Sequence, residues 1–296
     1  MNNVHVPVLL QETLEDLAIT LTDVVVDATA GGGGHAKAIG QLLGPTGTLI
    51  LLDQDEDALT RAKQAIGDHG CTVVSHKTNF RDIETVIRKE GIDAVDKVLF
   101  DLGLSTNQLE LSGRGFSFKR DEPLLMTMDK DATITAFEIV NSYPEEEIAN
   151  IIYEYGEERY SRRIARAIVH AREEKLIETS GKLAYIIEQS VPASYRTGKI
   201  HPATRSFQGI RIAVNDELGS LRRGLHGAWE LLSVGGRISC ITFHSLEDRI
   251  VKQYFASLVR EEAGELVHKK PITASPDELK QNPKSRSAKL RTITKI

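Results

Sequence analysis

Cysteine is almost missing from this chain of 296 residues: Cys71 and Cys240 are the only two, and neither belongs to a C-x-x-C pair. A disulfide framework and a cysteine-based zinc site are therefore excluded, and a reducing compartment is expected. Also missing is any apolar run approaching the roughly 18 residues of a membrane-spanning helix. The first residues, MNNVHVPVLLQE, carry neither a basic n-region nor a full apolar h-region, so no secretory signal is expected and a cytoplasmic location is. There is no internal repeat or low-complexity tract. Net positive charge is lacking too, with 37 Lys/Arg against 42 Asp/Glu and a balance of −5.

That acidity is unevenly spread. Residues 159–211 hold 11 Lys/Arg and 4 Asp/Glu, and residues 266–296 hold 8 and 2. Two restricted basic regions in an otherwise acidic chain point to a polyanionic partner. Solvated helix faces and a basic tail would give the same composition.

The first hundred residues alternate short apolar strands (24–28, 48–53, 72–75, 95–102) with helical patterns (35–43, 55–66, 80–89). Such a rhythm predicts a parallel, doubly wound sheet with helices on both faces, an α/β fold of Rossmann-like type. It breaks at Gly103. From there to about residue 203 only helical patterns occur (133–141, 144–155, 157–174, 180–191), after a polar glycine-containing loop. Phe207, Ile210, Val214, Leu218, Leu221 and Leu225 then recur at helical spacing, which predicts one long helix. A strand at 236–243 and a helix at 246–260 follow. The chain therefore reads as one α/β domain, residues 1–104 and 205–296, interrupted by a helical insertion, residues 105–204.

The segment Asp27-Ala-Thr-Ala-Gly-Gly-Gly-Gly-His35 stands at a strand-to-helix junction. Glycines there admit a ligand close to the backbone, and the next helix offers free N–H groups. Gly31, Gly33 and Ala36 satisfy a loose dinucleotide fingerprint, so a nicotinamide cofactor is one reading. Asp27 favours S-adenosylmethionine instead: a carboxylate beside the glycines welcomes a cationic amino-acid group and repels a pyrophosphate. His35 either bonds the ligand or caps the helix. Asp53, twenty residues beyond Gly33 at the next strand end, can accept two ribose hydroxyls. Phe80 offers a flat face for adenine, or is core. Asp101, ending the fourth strand, stands where the reactive end of a ligand belongs. There it can accept protons from an amine undergoing methylation, or hold the cofactor's own amine. Gln108, in the loop beyond, can close over the cofactor or face solvent.

Taken together, the chain resembles the bacterial small-subunit rRNA (cytosine-N4)-methyltransferases. The matching segments run almost end to end: HVPVLLQE from His5, DATAGGGGHA from Asp27, DLGLSTNQL from Asp101, RGFSF from Arg114, YGEERYSRRIARAI from Tyr155, HPATRSFQGIRIAVNDEL from His201, ITFHSLEDRIVK from Ile241 and NPKSRSAKLR from Asn282. The resemblance implies a cofactor site at Gly33, Gly34, His35, Asp53, Phe80, Asp101 and Gln108. It implies 16S rRNA as partner, within the small ribosomal subunit, and a cytidine of the decoding region as target, with the insertion helping to form the substrate cleft. One segment departs from the family pattern PLDMRMD: here it reads Pro123-Leu-Leu-Met-Thr-Met-Asp129, without the acid and the base. Losing both charges together points to a lost structural ion pair.

Arg159, Arg163, Arg166 and His170 fall on one face of a predicted helix and can track RNA phosphates. Arg205 and Arg211, at the start of the long returning helix, are read the same way, and His201 is placed with them. His244-Ser245 lacks the nucleophile elbow of a hydrolase. Ser245 is expected to cap the next helix, leaving His244 to touch the target base or a phosphate. The histidines lack ligand spacing, so no metal site is expected. The tail holding Lys284, Arg286, Lys289 and Arg291 is an RNA-clamping arm, a last strand, or both. Two further readings compete with the methyltransferase: a nicotinamide-dependent oxidoreductase, and an RNA-binding assembly factor without catalysis.

Overall fold

The computed structural model describes residues 7–68 and 70–296, and the chain divides into two compact units. His5 and Val6 of the first matching segment lie outside the described residues. One unit runs to Gly103 and resumes over Leu218–Ile296; the other is Leu104–Glu217.

The discontinuous unit is built on a seven-stranded sheet. Its strands are β1 Val24–Asp27, β2 Thr48–Asp53, β3 Thr72–Lys77, β4 Val95–Asp101, β5 Leu232–Thr242, β6 Gly264–Leu266 and β7 Lys289–Lys295. They lie in the order β3-β2-β1-β4-β5-β7-β6. The first five are mutually parallel, and β7 enters antiparallel between β5 and β6. This is the doubly wound α/β arrangement expected, with an antiparallel final strand supplied by the basic tail. Unbroken apolar runs such as TLILLD arise because successive residues face opposite sides of a sheet covered on both faces. Val26, Ile50, Leu52, Val98 and Phe100 enter one core with Leu221, Leu225 and Trp229. Val25, Leu49, Leu51 and Leu99 enter the other with Ile39, Leu59 and Ala62.

The second unit is helical: Thr106–Glu110, Ala136–Ser142, Glu145–Glu154, Ser161–Glu174, Ser180–Ser190, Ala193–Arg196 and Ala203–Asn215. Its own core holds Ile148, Ile152, Ile164, Ile168, Leu183, Ile187, Phe207 and Ile210. Among its described residues there is no strand, only an isolated bridge between Pro123 and Thr179. Thr135 and Glu138 form a reciprocal capping box at the start of Ala136–Ser142, which satisfies two backbone donors that the helix cannot.

The single long returning helix is not found. Ala203–Asn215 and Glu217–Leu231 are separate helices, broken at Asp216 in the left-handed region at φ 46, a conformation that aspartate tolerates. Arg211 clamps the break, its guanidinium bonding both oxygens of Glu217 at 2.8 Å. Hydrophobic spacing runs through the break unchanged, so periodicity alone cannot reveal it. The discontinuous unit accordingly resumes at Leu218, later than the expected Arg205.

The departing segment 123–129 is held through its backbone. Arg114 Nη1 donates to the carbonyls of Thr127 and Met128, while the Asn215 amide bonds Met126 O and Met128 N–H. None of these four bonds needs the two missing charges.

Candidate active site

Strands β1, β2 and β4 end at Asp27, Asp53 and Asp101. Three carboxylates thus stand at the carboxyl edge of the sheet, at β1 and the two strands that flank it, the place where ligands bind in such sheets. The loop after β1 enters the helix Gly34–Leu42 through Gly33, its N-cap at φ 78. A Cβ on Gly33 would lie 2.6 Å from Ala62 Cα, so conformation and packing both demand glycine. Gly34 opens the helix, whose first-turn N–H groups have no intrahelical acceptor.

Asp53 ties this loop to β2. One carboxylate oxygen accepts from Gly31 N–H and the other from Asp55 N–H, both at 2.9 Å. Burial pushes its pKa up, against these two hydrogen bonds. Each oxygen retains a lone pair for a further donor.

The remaining two acids bracket His35. The sequence reading sets Asp27 beside a ligand's cationic group; the structure instead buries it, 1% exposed. Burial pushes its pKa up to about 6, against the nearby His35 charge and the Thr29 N–H bond. His35 does not cap the helix. Its Nε2 lies 3.2 Å from Val8 O and its Nδ1 3.3 Å from Asp101 Oδ2. Burial works against the charged ring, but the hydrogen bond to Asp101 and the charges of Asp101 and Asp27 outweigh it and raise the His35 pKa. Acceptors facing both ring nitrogens suit the imidazolium. Asp101 is thereby oriented from one side, and its backbone N–H is anchored on Thr29 Oγ1 at 2.7 Å. Its Oδ1 is buried with no hydrogen-bond partner among the described residues.

The other residues singled out in the sequence are placed as follows. Phe80 opens a single turn, Phe80–Asp82, and meets Phe100 edge-on at 5.6 Å, so its ring is engaged with the sheet core. Gln108 is not in a loop: it lies in the helix Thr106–Glu110 and makes the reciprocal capping box with Ser105. The cap of the helix Ser245–Arg260 is His244, not Ser245: His244 Nδ1 accepts from Glu247 N–H, and Nε2 lies 3.1 Å from Glu247 Oε1. The proposed arginine stripe is shorter than expected. Its helix begins at Ser161, leaving Arg159 in the preceding turn, while Arg163, Arg166 and His170 are exposed on it. Arg166 faces Glu145 at 3.6 Å. His201 stacks on Phe118 at 4.4 Å, and Arg205 donates to Glu157 O at 3.1 Å. In the tail, Lys289 and Arg291 are paired with Asp248 at 2.9 and 2.7 Å, so β7 spends these charges within the fold.

A profile of the MraW methylase family matches residues 2–296. The chain belongs to that family. Among its curated relatives is Ribosomal RNA small subunit methyltransferase H of Symbiobacterium thermophilum, 48% identical over 99% of this chain and 96% of the relative. The protein of the same name from Carboxydothermus hydrogenoformans is also 48% identical, over 99% and 98%. That of Acetivibrio thermocellus is 46% identical, over 99% of each chain.

The methyl donor of this methylase is S-adenosylmethionine, and the residues present suit it. A buried oxygen without a donor costs free energy, so Asp101 Oδ1 marks a place that a ligand N–H would complete. The match to a methylase family decides against the nicotinamide alternative. Sequence reasoning missed Thr29 and Val8, which fix Asp101 and His35. Neither carries a signal, since one acts through a lone hydroxyl and the other through a backbone carbonyl.

Proposed function

We propose that this methylase transfers a methyl group to N4 of a cytidine in the decoding region of 16S rRNA, within the small ribosomal subunit, in the cytoplasm. The near-complete alignment with relatives named as small-subunit rRNA methyltransferases carries this reading. The site supports it chemically. In this reading Gly33 and Gly34 bring the cofactor against the backbone, and Asp53 accepts its ribose hydroxyls. S-adenosylmethionine supplies, when bound, an electrophilic methyl group on a sulfonium.

The exocyclic amine of cytosine is a weak nucleophile because its lone pair is delocalised into the ring. Asp101 answers this need: it accepts an N–H from the amine, holds it in line, and draws off positive charge as the new C–N bond forms. As the bound cofactor gave up its methyl and kept the C–S electron pair, Asp101 would take the nitrogen proton and pass it to solvent. His35 keeps the carboxylate in orientation through the contact of its Nδ1 with Asp101 Oδ2. The target base must be turned out of its stack to reach such a site. Arg166, His201 and Arg205, in the helical unit, serve as RNA contacts, and that unit is the substrate-recognition element. His244 is spent as a helix cap and acts at most through its ring edge. The capping of Gln108 and the core packing of Phe80 leave both with supporting roles around the cofactor.

Small subunits from cells lacking this protein, incubated with it and labelled S-adenosylmethionine, should yield N4-methylcytidine on nucleoside analysis. Label in any other nucleoside, or none, defeats the assignment.

A further inference from the structure

The turn between the helices Glu145–Glu154 and Ser161–Glu174 holds a cluster with no part in the cofactor site. It passes through Gly156 and Glu157, the latter at φ 50. A Cβ on Gly156 would lie 2.4 Å from Arg205 O, so only glycine lets this turn close on the helix Ala203–Asn215. Glu158 is fully buried. Its Oε1 accepts from Tyr160 N–H at 2.8 Å and its Oε2 from the Tyr195 hydroxyl at 2.6 Å. A buried carboxylate is tolerated only when its oxygens are bonded, so Glu158 fixes the Tyr160 backbone and the Tyr195 phenol. Burial, with the hydrogen bond to Glu158, pushes Tyr195 up to about 12, which keeps the phenol a donor at neutral pH.

The two tyrosine rings meet edge to face, 5.0 Å apart at 74°. Arg159 lays its guanidinium in the corner, 4.8 Å from the Tyr160 centroid and 5.1 Å from that of Tyr195. Arg159 is exposed. Among the described residues no hydrogen bond or ion pair occupies its N–H edge, in contrast to Arg211 and Arg291, each held by an acid. Arg205, whose charge also acts on the Tyr195 phenol, reaches the same turn. A guanidinium immobilised on aromatic faces with its donor edge open is pre-organised for an oxyanion, because the rotamer entropy lost on binding is already spent.

We propose that Arg159, seated on Tyr160 and Tyr195 with Arg205 beside the same turn, is a binding site for a phosphate of the RNA backbone. This rests on the rRNA reading above and extends it to a residue that lies off the helix face. The buried Glu158 is the positioning residue: it acts through the tyrosines and touches no RNA.

The test uses the full chain and small subunits from cells lacking it, with binding measured across a salt series and methylation under steady-state conditions. Each phosphate contact contributes roughly 0.7–0.9 to the slope of log affinity against log salt. Arg159→Ala should lower the slope by about that amount and raise KM about tenfold, with kcat unchanged. Arg159→Lys should recover the slope but not the full affinity, since it keeps the charge and loses the planar stack. Tyr195→Phe should weaken binding in the wild-type background and add nothing to Arg159→Ala. Arg88→Ala, at an exposed pair with Glu84 in the other unit, should leave the slope unchanged. An unaltered slope and KM in Arg159→Ala, or an equal loss in Arg88→Ala, overturns the site while wild-type methylation of rRNA stands. A wild-type chain that neither binds nor methylates small subunits brings down the rRNA reading and this site with it.

Discussion

The sheet edge and the arginine corner handle charge in opposite ways. At the sheet edge Asp27, His35 and Asp101 are drawn into a low-dielectric cluster, and Asp27 is pushed up to about 6 by burial. In the helical unit Arg159, Arg163 and Arg166 stand in solvent, and the buried group beneath Arg159 is an acid satisfied by neutral donors. A few buried charges interact strongly and move each other's proton affinities. Exposed ones are screened within about a Debye length. The first arrangement suits control of one amine at one atom; the second suits attraction of a polyanion and makes binding depend on salt.

Asp101→Ala should have the largest effect, lowering methyl incorporation by roughly a hundredfold or more with the thermal transition retained. A rate near that of the parent would place the chemistry elsewhere than the sheet edge. Gly33→Ala comes next. It forces a Cβ onto Ala62 Cα at a left-handed position, costing about 2–3 kcal/mol of stability. Cofactor affinity by calorimetry should fall at least about tenfold with it; an alanine variant that binds and melts like the parent would refute the close-packed loop.

Asp27→Asn tests the buried charge by pH. The folded chain holds a proton on Asp27 up to about 6 that the unfolded chain releases near 3.8. Stability from this group is therefore greatest at low pH, falls as pH rises through that window, and is level above it. Denaturant titrations of the asparagine variant should show that decline flattened, by up to about 3 kcal/mol. An unchanged profile would mean that Asp27 titrates as an ordinary exposed acid. Arg166→Ala should have the smallest effect. Its pairing with Glu145 is exposed and contributes little, so the melting temperature should not move, while the salt slope should fall by about one contact. A clear loss of thermal stability would recast Arg166 as structural.

Some of this was legible in residues 24 to 101. Asp27, the glycine run, Asp53 and Asp101 are local signals, each set at a strand end by an unbroken apolar run, and the carboxyl edge follows from the parallel order. Phe207 and Ile210 of the helical unit's core were legible by spacing. The break at Asp216 was not, because a left-handed residue leaves apolar periodicity intact on both sides. Arg159 was misassigned to the helix face for a related reason: spacing counts residues that lie before the helix begins. The capping by Gln108 and His244 was not legible, because the polar groups they satisfy are backbone N–H groups, which no side-chain pattern displays.

The amino-acid order by itself determined the strand ends, the glycine turn and the basic bias of the middle third, since each depends on neighbours within a few residues. Only the tertiary structure decided which partner each charge meets: His35 with Asp101, Glu158 with the Tyr195 hydroxyl, Lys289 and Arg291 with Asp248. Such pairings join residues far apart along the chain, and their strength comes from burial, which exists only once the cores have formed.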